Sequence, residues 1–64
     1  MTFDEIEKMV SGKGLPICGK NADGENVLIE KGDGCYKLTT AQHNGWTRIN
    51  LYHRDGSIEE MYKR

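Results

Sequence analysis

Near the start of the chain, Phe3, Ile6, Met9 and Val10 recur at spacings of three and four, the period that puts one apolar stripe along a helix. Thr2-Phe3-Asp4-Glu5 has the form of a capping box. In that motif the threonine hydroxyl accepts from the Glu5 amide and the Glu5 carboxylate reaches back to the Thr2 amide. Asp4 and Glu5 also suit the positive end of the helix dipole. Met1 is placed to staple onto Ile6. Gly12 and Gly14 offer left-handed stops and Pro16 forbids continuation, so the pattern predicts a helix over about 3–11. So short a helix melts alone in water and must dock on something.

From Leu15 the period changes to short extended runs between glycine turns, predicting a hairpin sheet over about 15–62. Asn21-Ala22-Asp23-Gly24-Glu25 and His53-Arg54-Asp55-Gly56-Ser57 share one form, a type I turn followed by a left-handed glycine bulge. Lys31-Gly32-Asp33-Gly34 and Ala41-Gln42-His43-Asn44-Gly45 supply two further reversals. The expected fold is therefore α+β, one short N-terminal helix packed on a mostly antiparallel meander of four to five strands. The Leu15–Gly19 strand has the weakest signal. Trp46 through His53 has the strongest, being rich in β-formers between two turns.

If Arg54-Asp55 is the last turn, Tyr52 lies opposite Ile58, Asn50 opposite Glu60, Ile49 opposite Met61 and Arg48 opposite Tyr62. The period of two then gives two faces. Thr47, Ile49, Leu51, His53, Glu59 and Met61 share one, which is expected to receive the helix. Trp46, Arg48, Asn50, Tyr52, Ile58, Glu60 and Tyr62 share the other. A single short helix covers one face only, so the second is expected to stay open. Trp, Tyr and Arg combine large contact area with a polar handle, the properties of binding hot spots. Trp46, Arg48, Asn50, Tyr52 and Tyr62 are accordingly the candidate partner-binding residues. The competing explanation is that cross-strand aromatics simply stabilise the sheet.

Length and charge narrow the function. With 64 residues there is room for one domain, 1–64, with a thin core. The hydrophobic content of 36% and charged content of 30% suit a folded, soluble chain. The longest apolar run is Val27-Leu28-Ile29, far short of a membrane span. Met1-Thr2-Phe3-Asp4-Glu5 lacks the basic and apolar regions of a signal peptide, and two cysteines are too few for a disulfide scaffold, so a cytoplasmic location is expected. The net charge is −1, and Glu59 and Glu60 flank the aromatic face. That ranks a single-stranded nucleic-acid platform below a protein partner or a self-associating dimer.

The chemistry-bearing residues do not assemble into a reaction. Cys18, Cys35, His43 and His53 are separated by sixteen, seven and nine residues, unlike the close ligand pairs of structural zinc. A Cys35 nucleophile with His43 or His53 as base lacks a helix N-terminus behind the thiol and any oxyanion motif. Glu59 and Glu60 point to opposite faces and so are not a catalytic pair. Gly12-Lys13-Gly14 and Gly32-Asp33-Gly34 lack the strand, spacing and helix of a phosphate loop. A concave substrate pocket is also hard to build at this size. The expectation is a non-enzymatic module with no catalytic residue, metal or cofactor, and no small-molecule substrate.

In the C-terminal half of the chain, Leu38-Thr39-Thr40-Ala41-Gln42, Asn44-Gly45-Trp46, Arg48-Ile49-Asn50, Tyr52, Asp55-Gly56 and Glu59-Glu60 resemble small uncharacterised proteins of bacterial phages and mobile elements. The resemblance carries no fold, activity or site. It implies a context, in which small accessory proteins bind and modulate a larger host factor.

Overall fold

The computed structural model describes all residues, 1–64. Helix α1 spans Phe3–Val10, followed by strands β1 (Ile17–Lys20), β2 (Asn26–Lys31), β3 (Cys35–Ala41), β4 (Thr47–His53) and β5 (Ile58–Lys63). The strands form one antiparallel meander in the order β1-β2-β3-β4-β5. The expected α+β architecture is present with all five strands. Its one helix is not long and apolar enough to cross a membrane.

Thr2 caps the helix in extended conformation, its hydroxyl accepting from the Glu5 amide at 3.3 Å. The Glu5 carboxylate accepts a hydrogen bond from that hydroxyl at 3.2 Å rather than from the Thr2 amide, so the reciprocal half of the box closes on the side chain. Ser11 is the C-cap, and Gly12 follows with φ 77°, the left-handed stop its sequence position called for. Phe3, Ile6 and Val10 are buried, whereas Met9 and Met1 remain exposed.

Three hairpins repeat one turn. Residue i donates to and accepts from the chain across the turn, and the glycine three positions on is left-handed: Gly24, Gly45 and Gly56, with φ 79°, 86° and 94°. A side-chain oxygen inside each turn holds it closed. Asn21 Oδ1 accepts from the Asp23 and Glu25 amides, Asn44 Oδ1 from the Trp46 amide and Asp55 Oδ1 from the Ser57 amide, at 2.9 to 3.0 Å. Gly34 is left-handed in the remaining hairpin, where the Gly32 amide donates to Cys35.

The pairing of the last hairpin is the one expected, with Arg48 opposite Tyr62, Asn50 opposite Glu60, Ile49 opposite Met61 and Tyr52 opposite Ile58. The face that receives the helix is the reverse of the expectation. The core comprises Phe3, Ile6 and Val10 from α1 with Ile29, Tyr36 and Leu38 from the sheet, and Tyr52 packs against it. Tyr36 pairs with Tyr52 and Leu38 with Asn50, so α1 lies on the Arg48-Asn50-Tyr52 side. The reason is in β3, where Tyr36, Leu38 and Thr40 alternate with Cys35, Lys37, Thr39 and Ala41 and are buried in step. Lys37 excludes the other side from a core, whereas β4 has apolar residues on both sides and cannot decide. On the side without the helix, Ile49 is still buried, in a row with Thr39 and Met61.

Candidate functional site

The register aligns two rows of side chains across the helix-bearing side of the sheet. One runs Gly19, Val27, Thr40, Arg48, Tyr62, and the other Ile17, Ile29, Leu38, Asn50, Glu60. Helix α1 rests on the β2–β3 part of these rows, near Tyr36 and Leu38. Toward β4 and β5 the same side is not covered. Trp46, Ile58 and Tyr62 stay exposed there, while Arg48, Asn50 and Tyr52 are half-buried.

The candidate residues share one side as expected, but it is the side that carries the helix rather than the one left open by it, and they do not form an isolated patch. Arg48, Asn50 and Tyr52 alternate along β4, and Tyr52 is part of the packing against the core. Tyr62 sits across from Arg48, and its hydroxyl donates to Glu60 at 2.9 Å. The same carboxylate accepts from Asn50 Nδ2 at 3.2 Å. The hydrogen bond to Glu60 holds the Tyr62 phenol above its ordinary value, with desolvation and the carboxylate's charge adding to it, and Arg48 opposes that shift more weakly. Trp46 lies just before β4, with the Arg64 guanidinium 5.4 Å from the centre of its indole ring. Glu60 is thus engaged by Tyr62 and Asn50, and Arg48 makes no ion pair; its Nε is buried without an acceptor.

Between α1 and the two rows lies a cavity of about 350 Å³. Met9, Val10 and Lys13 form its helix side, the first four residues of each row its floor, and Lys20 part of its wall. A concave pocket, expected to be hard to build at this size, is thus present beneath the helix. Tyr36 and Leu38 support the helix at one side, while Gly19 and Thr40, both small, keep the floor low beyond them. Sequence reasoning on the last hairpin missed Val10, Lys13 and Gly19. Gly19, a glycine inside a strand, was the available signal, because such a residue marks room for a close approach.

The remaining chemistry-bearing groups are placed as follows. Cys18 and Cys35 are free thiols. Cys35 is register partner to His53, whose Nε2 lies 2.9 Å from Glu59 Oε2, and no hydrogen bond joins the thiol to either histidine. His43 is instead at the opposite end of the sheet, against the Asp23 carbonyl at 3.3 Å. Glu59 and Glu60 do point to opposite sides, one to His53 and the other to Asn50 and Tyr62. No group of three or more His, Cys, Asp and Glu side chains is arranged to hold a metal ion.

Comparison with protein-family models, with curated proteins and with solved structures gives no match.

Proposed function

We propose that this is a non-enzymatic interaction module that engages a protein partner through the open β4–β5 half of its helix-bearing face. The supporting observation is the incomplete cover provided by α1. Trp46, Ile58 and Tyr62 are 36%, 54% and 52% exposed on the same side as the core, around the half-buried Arg48 and Asn50. Aromatic groups beside an arginine and an amide combine apolar area with directional hydrogen bonding, as interface centres do. Strand β5 adds an exposed edge whose free backbone groups can extend the sheet with a strand of the partner. An accessory factor of a phage or mobile element, acting in the cytoplasm on a host protein, is the setting that the sequence resemblance supports.

Light scattering over a concentration series, on the wild type and on Trp46→Ala, tests the reading first. A wild-type dimer that becomes a folded monomer on substitution makes the partner a second copy. A monomer directs the search outward, with a photo-crosslinking amino acid in place of Tyr62. Crosslinks to a single protein, lost when Arg48 is replaced, are expected. Binding of single-stranded oligonucleotides that collapses with added salt would replace this reading with a nucleic-acid one.

A further inference from the structure

The cavity under α1 adjoins the open face and shares Arg48, Asn50 and Tyr52 with it, but it does not depend on the protein-partner reading. Its lining is mostly apolar, with Val10, Ile17, Val27, Ile29 and Leu38 among its walls and floor. The charged groups that line it are Lys13, Lys20 and Arg48, all cationic, with no Asp or Glu. None of the three has a carboxylate within ion-pair distance; the one ion pair of the molecule is His53 with Glu59, on the other side of the sheet. The nearest acid along the rows, Glu60, lies one strand beyond the lining and is already bonded to Asn50 and Tyr62. Arg48 is part of the lining, while its Nε is shielded from water and makes no hydrogen bond, so none of the protein's acceptors holds that end of the guanidinium.

We propose that this cavity binds a small amphipathic carboxylate, with a compact apolar body under the helix and its carboxylate on Arg48. The guanidinium presents a planar fork that matches a carboxylate, and its hydrogen bonds to an ionised acceptor are the strong kind. Lys13 and Lys20 add long-range attraction for an anion at the rim. The volume falls at the small end of ligand pockets, which selects a body of several carbons over an extended lipid chain.

Gly19 makes the site separable from the fold. Its backbone is not in the left-handed region, and a Cβ built there meets nothing within 4 Å, so a side chain can start there without a clash and Gly19→Leu extends into the floor. The experiment is a titration of the full chain with octanoate, and with 1-octanol as the uncharged counterpart, followed by amide NMR shifts. Urea unfolding of each variant runs alongside. Octanoate is expected to shift the amides of Val10, Val27 and Arg48 and to bind more tightly than octanol. Arg48→Gln should weaken octanoate by about tenfold or more, with octanol unchanged. Gly19→Leu should abolish binding of both while its unfolding midpoint is maintained. Absence of octanoate binding at millimolar concentration, equal affinity for octanol, or undiminished binding to Gly19→Leu would each overturn the proposal.

Discussion

The Phe3 ring lies 5.0 Å from the Tyr36 ring, centre to centre, at an interplanar angle of 42°, and the Arg54 guanidinium stands 5.4 Å from the same Phe3 centre. One side chain from the first turn of the helix thereby joins the middle strand to the last hairpin turn. Only eight residues of the chain are buried, so this junction is a large part of what holds the helix down.

Phe3→Ala should cost about 3 kcal/mol, a substantial fraction of the stability of so small a domain. Arg54→Ala removes an exposed cation–π contact and should cost less than about 1 kcal/mol. Urea unfolding followed by circular dichroism measures both, and similar losses in the two variants would contradict this ranking.

The Thr2 cap predicts a smaller effect at the same end of the helix. Thr2→Ala removes the acceptor for the Glu5 amide and should cost about 1 kcal/mol, whereas Thr2→Ser should be close to neutral. The same unfolding assay reads the difference.

Two glycines should respond to alanine with opposite signs. Gly56 has φ 94°, where a Cβ is strained, and Gly56→Ala should destabilise by about 1 kcal/mol or more. Gly19 is in an ordinary strand conformation with open space beside it, and Gly19→Ala should stabilise by about 0.5 kcal/mol through the unfolded chain. Thermal midpoints moving in the same direction would contradict this account of the two turns and strands.

Titration should be visible at both ends of the pH scale. The Ser57 hydroxyl and amide hold the Asp55 carboxyl below its ordinary 3.8, so its contribution is complete above that value and is lost as pH falls through the lower, folded one. Asp55→Asn should flatten the acid limb of stability against pH. Tyr62 behaves in the opposite sense, because Glu60 holds its phenol above 10.0. Its contribution is complete below 10.0 and is lost as pH rises through the folded value. Ultraviolet titration of Glu60→Gln should show one phenol ionising at lower pH than in the wild type.

The elements were legible in the sequence because their signals are local. Thr2, Gly12 and the Asn/Asp-Gly turns act within a few residues, so the helix limits, the strands and even the Arg48–Tyr62 register could be read directly. The side that receives the helix was not, because β4 taken alone offers Ile49 and Leu51 on one face and Tyr52 on the other. Only the alternation of Tyr36 and Leu38 with Lys37, on the neighbouring strand β3, resolves it. The cavity was hidden for a related reason. Val10, Gly19, Thr40 and Arg48 come from four separate elements and carry no common sequence signature.

Because each strand pairs only with its neighbour in the chain, no partner strand has to be found across a long loop. Each hairpin closes over a few residues, the cheapest kind of closure, and such local topology folds rapidly. During synthesis the helix, β1, β2 and β3 are all in hand once Ala41 has emerged, and they already contain every member of the main core. The last hairpin can then add to a nucleus that exists before it.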